Sequence, residues 1–227
     1  MEYFYLYIFI LLCFIVAVSY YTTYMSSKHM SEESFNSDKQ TFVLLGDSIL
    51  KNDAYVSDGK SVDDILLERT NNKTICLAVD HSKIVDIYSQ VNKIPEDLNS
   101  NYTTIFLSAG GNDILTHYVD QSNDSSDVSI LKTMFGAYKK LIKGIQNKFP
   151  KANLVLLDIY YPNNMTYKQY HSVIDSWNKM VYEYASKNNL SVLKISGVLT
   201  QPDDFSFGME PSATGSRKLV DTILSAY

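Results

Sequence analysis

Five short apolar, β-rich runs, each broken off by a turn-forming cluster and followed by a stretch with helical spacing, constrain the fold of this chain more than any other feature. The runs occupy residues 41–45, 74–79, 103–107, 153–159 and 191–195. Helical patterns cover residues 61–69, 82–91, 129–149 with Ser129 as N-cap, 166–187 and 212–226. A strand with one wet face alternates apolar and polar side chains. These runs do not alternate, which is the pattern of parallel strands covered on both faces. Parallel strands need crossover connections, and helices supply them. The expected fold is an α/β domain of three layers, helices on both faces of a five-stranded parallel sheet in the order 2-1-3-4-5. Ligands of such sheets bind beyond the carboxyl ends of the strands, so chemistry is sought in the residues that follow each run.

The N-terminus reads differently. Residues 3–27 carry no charge and residues 3–18 are almost wholly apolar, followed by Tyr20, Tyr21 and Tyr24. About 20 such residues span a bilayer as a helix, with tyrosines suited to its interface. The expected organisation is a membrane anchor over 1–25, a polar linker over 26–40 and a single domain over 41–227. A cleaved signal peptide is the alternative, because Ala17-Val18-Ser19 has the small-x-small pattern of a cleavage site. Lys28 downstream favours that side being cytoplasmic, whereas five N-x-S/T sequons, at Asn72, Asn101, Asn123, Asn164 and Asn189, favour a lumenal or extracellular glycoprotein domain.

Composition excludes several classes. With 45% hydrophobic and 20% charged residues, the 227-residue chain can bury a core. A net charge of −5 without a basic run makes nucleic acid a poor partner. Cys13 and Cys76 are the two cysteines, too few for a disulfide framework or a four-cysteine zinc site. No metal or organic cofactor is expected.

The residues after the runs carry the chemical signal. The first run ends in Gly46-Asp47-Ser48, the second in Asp80-His81-Ser82 and the third in Gly110-Gly111-Asn112-Asp113. Tyr160 and Tyr161 follow the fourth, where they shape a pocket, and the segment after the fifth runs from Asp203 through Glu210 to Ser212. A serine on a tight Gly-led turn at a helix start is presented as a nucleophile, with backbone N–H groups at hand for an oxyanion. Asn112 on a Gly-Gly turn adds an amide donor. The plainer reading, in which the glycines only make turns and Ser48 only caps a helix, fits each motif alone but not the ordered set.

With these blocks in this order, the chain from about Thr41 onward resembles the SGNH/GDSL hydrolase superfamily. GDS at 46–48 is similar to its nucleophile block and GGND at 110–113 to its third block; GDSILKNDAYV, LAVDH, AGGNDIL and MEPSATGSRKL are similar to a bacterial branch of GDSL-like proteins. The resemblance implies a flavodoxin-like sheet, Ser48 as nucleophile, and an oxyanion hole made of the N–H of Ser48, the N–H of residue 81 and the Asn112 amide. It implies a lipid, glycan or other small-molecule ester as substrate.

The chain departs from that pattern twice. Its second block has His81, or Asp80 in a shifted register, where the family has a glycine. Its last block should carry Asp-x-x-His; Asp204 fits the aspartate and is expected to approach the site from the last loop as a catalytic residue, yet counting from it puts Phe207 at the histidine position, and no histidine follows His171. The four histidines leave few substitutes: His29 lies in the linker, His171 in a long amphipathic stretch, and His117 in a loop after GGND. His81 and Glu210 remain as general-base candidates, and a carboxylate serves only if burial raises its pKa. Trp177 with Val173, Ile174 and Val181 forms a core stripe, and the acidic run 120–127 is a solvated loop. Three functions follow: a membrane-tethered serine ester hydrolase, a degenerate hydrolase fold kept as a binding module because Phe207 replaces the base, or a structural membrane protein.

Overall fold

The computed structural model describes residues 14–25, 40–120 and 128–226. The chain divides into two units, residues 1–40 and 41–227. In the first, residues 14–25 form a helix, α1. Among the described residues no helix is long and apolar enough to cross a membrane. Residues 1–13 and 26–39, and with them part of the expected anchor, most of the linker, Cys13 and His29, lie outside the described residues, as do 121–127 with most of the acidic run and Asn123.

The second unit holds the expected sheet. Strands β1 (Thr41–Leu45), β2 (Thr74–Cys76), β3 (Thr103–Leu107), β4 (Asn153–Leu157) and β5 (Ser191–Leu193) are all parallel, in the order β2-β1-β3-β4-β5. Their side chains serve two cores in alternation. Val43, Leu45, Ile105 and Leu107 pack on one face beneath α3 (Ile87–Val91), α5 (Val128–Lys148) and α6 (His171–Lys187). Phe42, Leu44, Phe106 and Val155 pack on the other beneath α2 (Val62–Arg69) and α7 (Ala213–Ala226). Trp177 is fully buried in the first core, as its helical spacing predicts.

Some boundaries differ. The second, fourth and fifth runs end as strands about two or three residues early, because the chain leaves the ladder there to build loops over the sheet edge. Ser129 lies inside α5, which starts at Val128, so it is not the cap. The stretch 166–187 begins as a 3-10 turn, Met165–Tyr170, before α6. A short helix α4 (Gly111–Ile114) opens on the Gly-Gly turn. One element had no counterpart in the sequence reading: a small antiparallel hairpin of β6 (Phe205–Ser206) and β7 (Glu210–Pro211) between β5 and α7.

Candidate active site

Ser48 sits at the carboxyl end of β1, on a turn that only glycine can open. Gly46 has φ +137°, and a Cβ there would lie 2.2 Å from the Ser108 carbonyl oxygen. Gln90, alone among the apolar residues of its helix face, is buried under this turn. Its Oε1 accepts the Gly46 N–H at 2.7 Å, while its Nε2 donates to the Gly46 carbonyl at 2.8 Å and to Ser82 Oγ at 3.1 Å. Asp47 Oδ1 accepts the Ser108 hydroxyl at 2.7 Å and the Ile49 N–H at 3.3 Å. Burial raises the Asp47 pKa, with the Ser108 hydrogen bond pulling against it. The turn that carries Ser48 is therefore locked from beneath by two buried polar side chains.

Ser48 and Asn112 line one pocket at the end of the sheet, with Glu210 on its wall. The remaining lining is mostly apolar, with Ile49, Ile114, Ile159, Tyr160, Ile174 and Met209 among it, around a cavity of about 90 Å³. Asn112 stands on α4 at the end of β3 and spends one amide hydrogen on the Ser82 carbonyl at 3.0 Å, which leaves the second free to turn into the pocket. The Ser48 N–H has no acceptor among the described residues.

Glu210 brings a carboxyl to face Ser48. The residue is buried, and its Oε2 has no hydrogen-bond partner. Burial pushes its pKa from 4.5 up to about 7; the Ser48 hydroxyl, facing the carboxyl, pulls it down, and the charges of Asp47 and Asp80 push it up. The serine and this carboxylate act on one another without a hydrogen bond of normal geometry between them, an arrangement common where a catalytic contact tightens only around substrate.

The other expected site residues lie elsewhere. His81 has φ +61°, its side chain is 80% exposed and its Nε2 lies 3.6 Å from Asp80 Oδ2. The His81 N–H donates to Asp80 Oδ1 at 2.8 Å, so neither its ring nor its amide faces Ser48. Asp80 itself accepts the Tyr55 hydroxyl at 2.8 Å. Asp204 is wholly buried away from the pocket, 2.6 Å from the Lys218 ammonium, and accepts the Thr200 and Gln201 N–H groups at 2.9 Å each. Burial raises its pKa, but Lys218 and these two amides outweigh that and leave it lowered. Asp204 is thus a structural anchor for the loop before the hairpin. Phe207 occupies the hairpin turn with φ +53° and is 83% exposed, so it does not stand where a base would. His171 contacts Tyr161 and the carbonyl of Pro162, a lining residue, without lining the pocket itself, and His117 lies edge-on to Tyr118.

Asp158 went unnoticed in the sequence: it lines the pocket, buried, and accepts the Ser196 hydroxyl at 2.6 Å. Gln90 was legible in principle as a lone amide on an apolar helix face. Asp158, the last polar residue of an apolar run, offered no such contrast.

A sequence profile of the GDSL-like lipase/acylhydrolase family matches residues 44–218. No curated protein matches the chain significantly in sequence. Solved structures share the fold. A lipolytic protein of the G-D-S-L family from Veillonella parvula superposes with a TM-score of 0.64 at 18% identity, covering 83% of this chain and 98% of that one. An acetyl xylan esterase gives 0.62 at 16% identity, covering 82% and 98%. An extracellular lipase from Streptomyces rimosus gives 0.62 at 14% identity, covering 83% and 100%.

Proposed function

Since the chain belongs to the GDSL-like lipase/acylhydrolase family, we propose that it is a serine ester hydrolase in which Ser48 is the nucleophile and Glu210 the general base. The observation that carries this reading is the buried carboxyl of Glu210 facing Ser48, its pKa raised to about 7. A carboxylate at its ordinary pKa is too weak a base for a serine hydroxyl. Near 7 it is still half ionised at neutral pH and takes a proton more readily.

The Ser48 Oγ attacks the ester carbonyl carbon as its proton passes to Glu210. The Ser48 N–H and the Asn112 amide donate to the resulting oxyanion. Collapse expels the alcohol, which takes the proton back from Glu210, and leaves an acyl group on Ser48. Water, deprotonated by the same carboxylate, attacks the acyl carbonyl, and the proton returns from Glu210 to the Ser48 Oγ as the acid leaves. The narrow apolar cavity of about 90 Å³ favours an acyl chain of a few carbons, on a lipid or glycan alcohol. It is smaller than the roughly 150 Å³ cavity that holds a benzene ring.

The base must be ionised to act, so kcat/KM should rise about tenfold per pH unit below the Glu210 pKa of about 7 and level off above it. A p-nitrophenyl acetate profile from pH 5 to 9 reads this directly. A flat profile would exclude Glu210 as base. The binding-module alternative rests on the histidine missing at Phe207, and the buried Glu210 carboxyl facing Ser48 favours the hydrolase reading over it.

Tethering belongs to the same proposal and rests on the apolar residues 3–18. The full chain should stay in the membrane pellet through alkaline carbonate extraction, with its domain glycosylated on the lumenal or extracellular side; release into the supernatant overturns the tether and leaves the hydrolase reading intact.

A further inference from the structure

The strand that carries Glu210 is held by a side chain from the nucleophile's own segment. Asn52, the fourth residue after Ser48, is wholly buried. Its Nδ2 donates to the Pro211 carbonyl at 2.8 Å and to Ser216 Oγ at 2.8 Å, and its Oδ1 accepts the Val62 N–H at 2.8 Å. Every polar atom of the side chain is used. On the other side of Glu210, the Tyr160 hydroxyl donates to the Met209 carbonyl at 2.5 Å. The residues before and after the carboxylate are thus both fixed by hydrogen bonds from outside the hairpin, which otherwise has only a two-residue ladder to define it.

A general base is useful only when held within a fraction of an ångström of its proton donor. We propose that Asn52 is a positioning residue that ties the Ser48 segment to β7 and thereby sets the separation of the Ser48 hydroxyl from the Glu210 carboxyl. The inference rests on Glu210 being the base. Asn52 touches no substrate; it acts through Glu210, keeping the carboxyl turned inward and dry.

The test is Asn52→Ala in the full-length chain, assayed with p-nitrophenyl acetate across pH. Freed from Asn52, Glu210 turns partly toward water. The expected result is a kcat 10- to 100-fold lower, KM within about twofold of wild type, and an acid limb whose midpoint moves down toward the ordinary carboxylate range. Leu66→Ala empties a neighbouring part of the core without touching the latch. It is expected to lower Tm while leaving kcat and the pH midpoint of the folded protein unchanged. Asn52→Leu, which keeps the branched shape and heavy-atom count, is read in place of alanine if too little folded protein is recovered. A folded Asn52 variant with a wild-type midpoint and kcat overturns the proposal, and so does failure of both variants to fold, which would make Asn52 part of the scaffold alone. Glu210→Gln, run alongside, separates the two readings. If it retains full activity, the base assignment fails; if it is inactive while Asn52→Ala behaves as wild type, only the positioning role fails.

Discussion

Ser48→Ala is expected to lower ester turnover by on the order of 10⁴- to 10⁶-fold, and Glu210→Gln by roughly 10²- to 10⁴-fold. The two losses should not add. Once the nucleophile is gone the base has no proton to accept, so the double variant should be no slower than Ser48→Ala alone. The residual rate would come from binding and from the Ser48 N–H and Asn112 amide, which neither substitution removes. A fluorophosphonate probe gives a second reading: wild type should be labelled at Ser48, Ser48→Ala not at all, and Glu210→Gln only slowly. Wild-type protein that neither labels nor turns over p-nitrophenyl esters would favour a binding module instead. Labelling of Glu210→Gln at the wild-type rate would show that another group activates the serine.

Gly110→Ala should remove a large part of the domain's stability. Gly110 has φ +104°, and a Cβ there would lie 2.2 Å from Cζ2 of Trp177. The indole is fully buried against Phe135 and Tyr138, with ring centroids 5.3 and 5.4 Å away, so it has nowhere to go. Backbone strain of roughly 1–3 kcal/mol adds to overpacking of a similar size, giving about 2–6 kcal/mol. That approaches the whole stability of many domains. Urea titration measures it. Because Trp177→Phe makes room for the added methyl, the double variant should be less unstable than the sum of the two single changes. Additivity would mean that strain at φ, and not the indole contact, dominates.

The sheet was legible because strands covered on both faces cannot hide their composition: Phe42 to Leu45 and Thr103 to Leu107 are buried without interruption. Ser48 and Asn112 were legible for a related reason. Each follows a strand directly, and β1 and β3 are neighbours, so knowing the strand order brings the two residues together. The proposed base was not legible by counting. From Asp204 the spacing points to Phe207, but the chain reverses there, with positive φ at both Phe207 and Gly208, so the turn throws the phenyl ring outward and the return strand presents Glu210. Nor does spacing show the direction of a loop. His81 follows β2 as Ser48 follows β1, yet its left-handed backbone and the Asp80 carboxylate turn it to solvent. Asn52 is invisible in the sequence because both its donor contacts lie about 160 residues downstream.

That separation has a temporal meaning. Ser48, the amide of Asn112 and most of the apolar wall are translated well before the strand that brings Glu210. Asn52 and Pro211 stand 159 positions apart, which at ribosomal rates of 5–20 residues per second is an interval of roughly 10–30 s. Throughout that interval the growing polypeptide carries a serine with no carboxylate opposite it. On the proposed mechanism, full ester cleavage therefore waits until the last segment has folded back, and a nascent or C-terminally clipped chain is expected to turn over esters no faster than Glu210→Gln.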